Sequence, residues 1–266
     1  VERFVSIDAY SRAPLRATPS MFEPEEATGP TYYGHPFTKG NLAMTGPLAC
    51  AVPGAVAGFC EAQAAFGRLP LAKVLEPAIE AADTGTSFTF SDSLSIAARL
   101  AAGDQLEGES ARVLLPGGWP PVIQFGDPLG ERLDTGALAR TLKAIARDGA
   151  AAFYAGPIAK ALGRAIGALG GILDTDDLAA YRTRKLAEQP LAYRGLSYIS
   201  CFDQVGYEAL NILEGFDLAR FGQDSFEVRH LLAEALALAF TDSMRHYGDP
   251  DFVRSPVRGL ASKAFA

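Results

Sequence analysis

The sequence predicts an α+β chain that is mostly helical and has too few strands to make a complete sheet. Three observations predict it. Apolar residues recur at helical spacing through most of the chain between residues 53 and 247. Strand-like alternation is confined to Val1–Tyr10 and Pro190–Ser200. Proline and glycine fall between these stretches, where they stop or start elements. The 266 residues are 48% hydrophobic and 21% charged, a globular composition in a chain long enough to bury a substantial core. Unpaired strand edges attract other chains, so the shortage of strands points to a second polypeptide that supplies the rest of a sheet.

Each element has its own signal. Val1–Tyr10 (VERFVSIDAY) alternates in part and reads as a strand that begins without a turn or cap. Arg12–Gly46, rich in Pro, Gly, Thr and aromatic residues, reads as a long irregular segment, a feature often tied to function in compact domains. Pro53-Gly54 opens a helix through Phe66, because a proline in the first turn lacks only an N–H that had no helical partner. Pro70 begins another, with Leu71, Val74, Leu75, Ala78 and Ile79 at helical spacing and Gly85 as its stop. Pro116–Gly130, which holds the only tryptophan, is a loop. Asp134 or Thr135 caps the next helix, where Leu138, Leu142 and Ile145 share a face and Gly149 ends it. A further helix runs from Pro157 to Gly170-Gly171. Asp174, with Asp177 three residues on, is a short N-cap signal for a helix carrying Leu178 and Tyr181. Pro190–Ser200 reads as one strand. Ser225–Tyr247 is a long helix with Val228, Leu231, Leu232, Ala235 and Ala239 on one stripe, closed by the turn Gly248–Phe252. No linker, low-complexity tract or repeat interrupts the chain, which reads as one domain or part of one.

Much chemistry is excluded. The net charge is −7 and the basic residues are scattered, which argues against nucleic acid or anionic membrane as the main partner. No apolar run approaches the ~20 residues that span a bilayer. Val1 opens the chain without a leader pattern, which leaves the compartment undetermined. Cys50, Cys60 and Cys201 lack zinc or redox spacing and read as small apolar side chains. There is no phosphate loop, dinucleotide fingerprint, zinc-protease helix motif or serine-hydrolase elbow. His35, His230 and His246 are dispersed; the last two lie on one helix about 24 Å apart, at 1.5 Å per residue. Asp174, Asp176 and Asp177 read as caps, Asp249 and Asp251 as turn residues, and Glu234 and Asp242 as a solvated helix face by default, or else as buried partners of arginines. The residues themselves therefore offer no nucleophile–base pair, no metal set and no cofactor motif.

Three collinear blocks carry a resemblance. Val52–Gly85 is similar to a V-P-G-T-V-A-G block followed by a helix pair. Leu138–Ser200 (LARTLKAIARDGAAAFYAGPIAKALGRAIGALGGILDTDDLAAYRTRKLAEQPLAYRGLSYIS) and Leu210–Ala266 follow in the same order. Together they resemble the large subunit of the γ-glutamyltranspeptidase family of N-terminal-nucleophile hydrolases, made as one precursor that cuts itself in two. The resemblance implies a partial αββα sandwich, mostly helical in residues 1–266, whose sheet is completed by a missing small subunit. It implies acyl transfer or amide hydrolysis by the hydroxyl of a threonine that begins that subunit, with the threonine's own α-amino group as base. The chain stops at Ala266 before any such segment, and the family's glycine-rich N-terminal hairpin has no counterpart. Residues 1–266 are therefore expected to be a large-subunit-like segment without a catalytic residue of its own and without metal or cofactor. The expected partners are its own small subunit and a small γ-glutamyl or related acyl amide.

Two departures from the family pattern bear on substrate. The family's D-G-R-E-x-A-P run, whose arginine grips the α-carboxylate of the γ-glutamyl group, is matched by Asp8-Ala9-Tyr10-Ser11-Arg12-Ala13-Pro14. Tyr10 stands in the arginine's place and Ser11 in the glutamate's. A tyrosine donates one hydrogen bond and cannot form arginine's charged bidentate clamp. Arg12, two residues on, points to the same face as Tyr10 in an extended strand, about 7 Å away, either as a substitute or as a solvated cation. The candidate substrate-binding residues are thus Tyr10, Ser11 and Arg12. The family's S-M-P-P-P-S-S-G-G loop is replaced by the shorter Ser200–Gly206. These departures lead to an acylase or amidase of altered acyl specificity. An ordinary glutathione hydrolase or γ-glutamyltransferase and a non-catalytic homologue acting as a binding protein are the alternatives.

Overall fold

The computed structural model describes residues 4–25, 31–32, 35–101, 103, 106, 108–121, 132–186, 190–200, 204–246, 248–249 and 251–266. Its strands are short: β1 (Ser6–Asp8), β2 (Thr31–Tyr32), β3 (His35–Pro36), β4 (Thr86–Ser87), β5 (Arg132–Leu133), β6 (Arg184–Leu186), β7 (Leu191–Tyr193) and β8 (Leu196–Tyr198). The helices are α1 (Ala55–Phe66), α2 (Leu71–Thr84), α3 (Phe90–Ala101), α4 (Gly108–Leu114), α5 (Gly136–Asp148), α6 (Ala150–Tyr154), α7 (Pro157–Ala168), α8 (Thr175–Ala180), α9 (Gln204–Glu214), α10 (Phe226–His246) and α11 (Val257–Leu260). Every strand pair is antiparallel and two-stranded: β1 with β6, β2 with β3, β4 with β5, β7 with β8. Among the described residues the α+β character is therefore lopsided, as the sequence predicts, with helices dominating and no extended sheet.

The chain divides into two compact units, Ala9–Thr183 and Val1–Asp8 with Arg184–Ala266. In the first, Val52, Tyr154, Ala159, Leu173, Leu178 and Tyr181 form a buried core against which Val56, Phe153, Leu162 and Ile166 pack. Proline's role at both early helices is slightly different from expectation. Pro53 precedes the Gly54 cap of α1, and Pro70, with extended backbone, is itself the cap of α2. Asp134 Oδ1 accepts from the Gly136 amide at 3.2 Å and so serves the start of α5. Thr135 instead donates to the Ala82 carbonyl at 2.7 Å and ties α5 to the end of α2. Leu138 is half exposed, and Ala139 takes the buried place beside Ile145. The Asp174 signal becomes a full capping box. Asp174 Oδ1 accepts from the amides of Asp176 (2.9 Å) and Asp177 (3.2 Å), and Asp177 Oδ2 accepts from the Asp174 amide at 2.8 Å.

In the second unit α9 lies along α10, with Ala209, Leu213, Ala235 and Ala239 buried between them. Leu232, expected on the packed stripe, is 44% exposed. Pro190–Ser200 is a hairpin and not one strand. Arg194 (φ 48°) and Gly195 (φ 80°) both take positive φ, which is the conformation of a tight I′ turn. Among the described residues of Val1–Tyr10, Ser6–Asp8 forms a strand, and it pairs with β6. Asp8, buried, receives Arg184 Nε at 3.1 Å, while Arg184 Nη1 reaches Asp251 at 2.7 Å, so the end of β1 and the turn after α10 share one guanidinium. Asp251's own amide donates to Asp249 Oδ1 at 2.9 Å, the turn expected there. Cys201 and residues 122–130 of the expected loop lie outside the described residues.

Asp242 overturns its reading as part of a solvated face. It hydrogen-bonds Glu208, which is 1% exposed and also receives Gln204 Nε2 at 2.8 Å. Burial pushes the Glu208 carboxyl up; Gln204 opposes this and the acidic neighbour Asp242 reinforces it.

Two outcomes follow from this packing. Asp177→Ala removes acceptors of two backbone amides, Asp174 and Leu15, and is expected to cost about 1–3 kcal/mol in denaturant unfolding. The exposed neighbour variant Asp176→Ala is expected to stay within about 0.5 kcal/mol. Because Glu208 binds its proton more tightly folded than unfolded, its contribution to stability is greatest below its ordinary value of 4.5 and falls as pH rises through the raised one. Thermal melts from pH 4 to 8 are therefore expected to show Glu208→Gln gaining on the wild type as pH increases.

Candidate functional site

The three candidate residues lie just after β1, in the unit Ala9–Thr183. Tyr10 is 76% exposed, Ser11 is exposed and Arg12 is half-buried. What fixes them is mostly backbone. Arg12 and Val52 form an isolated antiparallel bridge, with Arg12 N donating to Val52 O at 3.1 Å and Val52 N to Arg12 O at 2.8 Å. The Tyr181 hydroxyl donates to the Tyr10 carbonyl at 2.8 Å. Asp177 Oδ1 accepts from the Leu15 amide at 2.5 Å, and Arg16 Nη2 donates to the Ile172 carbonyl at 2.8 Å. The segment 10–16 is thus held by side chains and carbonyls of residues 172–181 and by the strand-like residue before α1.

Side-chain geometry separates the candidates. The Arg12 guanidinium carbon sits 5.8 Å from the centre of the Tyr181 ring, within cation–π range. Tyr181 in turn stacks on Tyr154, with centroids 5.5 Å apart and planes 15° from parallel. Tyr154 is buried. Its hydroxyl donates to the Pro53 carbonyl at 2.7 Å and accepts from the Ala57 amide at 3.2 Å. Burial pushes its phenol up, with the Ala57 amide opposing, so it stays a protonated donor at neutral pH. Arg12 is therefore laid on an aromatic stack, while the Tyr10 side chain stands outward.

Gly54 and Gly58 make this arrangement possible. They sit one helical turn apart at the start of α1. A Cβ on Gly54 would collide with the Tyr181 hydroxyl and the Ala9 carbonyl, and one on Gly58 would collide with the Ala9 side chain. Small residues at this spacing let a backbone lie directly on a helix. Their four-residue spacing in Pro53–Gly58 was a visible signal of close approach, and sequence reasoning read it only as a helix start. Tyr154 and Tyr181 carried no such signal, because their partners lie 97 to 171 residues away in the chain.

The other sites considered in the sequence hold no catalytic constellation among the described residues. No group of three His, Cys, Asp or Glu residues is placed to hold a metal ion. His230 is exposed, 4.0 Å from Glu234. Burial raises the Cys60 thiol, which disfavours the thiolate. No described helix is long and apolar enough to cross a membrane. Of the replaced loop, residues 201–203 lie outside the described set. Gln204 opens α9, buried, with its Oε1 unpartnered among the described residues.

Comparison with known proteins places this architecture. The acylase ACY 1 proenzyme of Pseudomonas sp. (strain SE83) is 40% identical over 270 residues, covering 99% of this chain and 46% of that protein. The glutathione hydrolase proenzyme of Escherichia coli (strain K12) is 33% identical, covering 98% of this chain and 43% of that protein. The chain spans about half the length of the curated relatives it matches. The crystal structure of Helicobacter pylori γ-glutamyltranspeptidase superposes with a TM-score of 0.84 at 29% identity, over 98% of this chain and 72% of that one. A family model described as Gamma-glutamyltranspeptidase matches residues 2–266, and the chain accordingly belongs to the γ-glutamyltranspeptidase family.

Proposed function

We propose that residues 1–266 are the large-subunit part of a self-cleaving acylase or amidase whose acyl specificity differs from that of a glutathione hydrolase. The observation that carries the reading is the pair of changes at the D-G-R-E-x-A-P position. Tyr10 stands where the family's arginine grips an α-carboxylate, and the next cation along the chain, Arg12, is laid on the Tyr181 ring. The higher identity to an acylase (40%) than to a glutathione hydrolase (33%) supports the same direction.

The chemistry is acyl transfer. The hydroxyl of a threonine at the start of the small subunit attacks the amide carbonyl, and its proton passes by way of that residue's α-amino group to the leaving amine. Backbone N–H groups stabilise the tetrahedral oxyanion. The acyl-threonine ester is then cleaved by water or by an acceptor amine, which restores the hydroxyl. In this scheme residues 1–266 supply acyl recognition at Tyr10, Ser11 and Arg12 and the helical layer on which the small subunit completes the sheet. The exposed Phe59 (75%), Phe90 (71%) and Phe226 (79%) agree with a chain that is covered by further polypeptide. An ordinary glutathione hydrolase is the second reading, favoured by Arg12, which would then hold the α-carboxylate in the lost arginine's stead.

The experiment is to isolate the complete protein, sequence the N-terminus of each polypeptide and compare glutaryl- and γ-glutamyl-p-nitroanilide. A second chain beginning with threonine is expected, with the glutaryl amide, which keeps the terminal carboxylate and lacks only the α-amino group, cleaved at least as well as the γ-glutamyl amide. A single uncut chain, or a strict need for the γ-glutamyl α-amino and α-carboxylate groups, would overturn the reading. Tyr10→Arg is expected to raise kcat/KM on the γ-glutamyl amide by roughly 10-fold or more, the worth of a charged hydrogen bond. Residues 1–266 alone are expected to show no turnover and to aggregate at concentrations where the complete protein stays monodisperse.

A further inference from the structure

The first turns of α9 carry a buried polar face that the candidate site does not use. Gln204, Glu208 and Asn211 follow one another at helical spacing and are 2%, 1% and 7% exposed. Asn211 is anchored on the residue after α11, its Nδ2 donating to the Ala261 carbonyl at 2.9 Å. Glu208 faces α10. It accepts from Gln204 Nε2 at 2.8 Å and shares a hydrogen bond with Asp242, which lies half-buried in the last third of α10. Gln204 Oε1 is buried and has no partner among the described residues.

Two carboxylates are both acceptors, so a hydrogen bond between them exists only where one of them carries a proton. Burial decides which. Glu208 is out of contact with water and Asp242 is not, so the neutral form falls to Glu208 and the charge to Asp242. Gln204 holds the same carboxyl from its own helix, while the proton reaches across to the neighbouring one. Of the elements packed against α9, α10 brings Asp242, and its other charged residues are exposed. Arg258 of α11 is exposed too. β7 brings Tyr193, whose ring lies against Arg194. Arg194 and Lys263 both bond Glu214 at the far end of α9. Tyr207, beside Glu208, accepts from the Ser200 amide and meets the Tyr198 ring.

We propose that Glu208 and Asp242 hold one proton between them, and that this proton latches the start of α9 to α10 and releases it as pH rises. Loss of the proton to solvent leaves two facing carboxylates, one of them buried, and the contact turns from attraction to repulsion. The apolar packing of Ala209, Leu213, Ala235 and Ala239 does not titrate, so release is greatest in the turns around Glu208. Opening there also lets water reach the unpartnered Gln204 oxygen, which makes these turns the easier part of α9 to open. Glu208 holds its proton more tightly when packed than when released, so the latch is closed below its ordinary value of 4.5 and loosens as pH climbs through the raised one. The latch involves neither residues 10–12 nor the acyl chemistry, and stands apart from the reading of either.

The test is amide hydrogen exchange on the complete protein over a series of pH values, expressed as protection relative to an unstructured chain. Protection at amides 208–212 is expected to fall by up to about 10-fold per pH unit above 4.5 and then to level off. The amides of α7, in the other unit, are expected to show no such fall. Glu208→Gln keeps a donor toward Asp242 and an acceptor for Gln204, and is expected to abolish the pH dependence. Asp242→Asn removes the charge that reinforces Glu208, and its protection is expected to level off at a lower pH than in the wild type. Infrared difference spectra at neutral pH are expected to show the C=O stretch of a protonated carboxylic acid in the wild type that Glu208→Gln lacks. Wild-type protection at 208–212 that is unchanged with pH, or the same pH dependence in Glu208→Gln, overturns the latch. An Asp242→Asn protein that levels off where the wild type does shows Glu208 titrating alone, and overturns the shared proton.

Discussion

A backbone that runs through a protein without a hydrogen-bonded ladder must have its polar groups met one by one, and residues 9–16 are such a backbone. Beside the bridge to Val52, the Tyr10 carbonyl is met by the Tyr181 hydroxyl, the Leu15 amide by the Asp177 carboxylate and the Pro14 carbonyl by the Ala17 amide. Both of these side chains belong to one short stretch, α8 and its C-cap, whose Leu178 is fully buried. The capping box that starts α8 therefore does more than begin a helix. Asp177 spends one oxygen on the cap and the other on Leu15, so the helix start and the candidate segment are fixed by the same carboxylate. Leu178, next to Asp177 in the chain, belongs to the buried core of this unit together with Leu173, Tyr154 and Tyr181.

Local chemistry was legible in the sequence wherever it was self-contained. The Asp174/Asp177 box, the Asp249–Asp251 turn and the helix stops at Gly85 and Gly149 are each decided by residues within a few positions of one another. Where two readings share the same pattern, the sequence could not choose. Alternation through Pro190–Ser200 looks the same in one strand as in the two arms of a hairpin, and Arg194-Gly195 is a weaker turn signal than Asn-Gly. Asp242 looked like a surface acid because charged residues usually are. Its partner Glu208 lies on another helix, and nothing local marks it as buried.

The candidate segment rests on a different kind of signal. Tyr10, Ser11 and Arg12 are candidates by comparison with a family motif, with Tyr10 at the position of its arginine, and not by any local chemistry of their own. Their supporting residues were not found, because support is a tertiary property. Gly54 and Gly58 are noticed as helix positions, while the collision that a methyl group would cause with Tyr181 or Ala9 exists only after folding. The fold class was correctly read as helix-rich with few strands, and the same physics explains both sides. Helices satisfy their own backbones, so they are visible one at a time, whereas a strand is defined by a partner that is distant in sequence.

That last asymmetry bears on how the chain is made. β1 ends at Asp8 and its ladder partner begins at Arg184, 176 residues later, which also supplies the guanidinium for Asp8. At 5–20 residues per second, the ribosome releases β6 roughly ten to thirty seconds after β1. The whole of Ala9–Thr183 can collapse in that interval, since its core uses only residues within it. The newborn β1 waits through this period with its Ser6–Asp8 edge open, and a three-residue strand ending in a charged side chain is a poor template for pairing with a neighbouring nascent chain. Its brevity, a weakness in the finished fold, is a form of protection during synthesis.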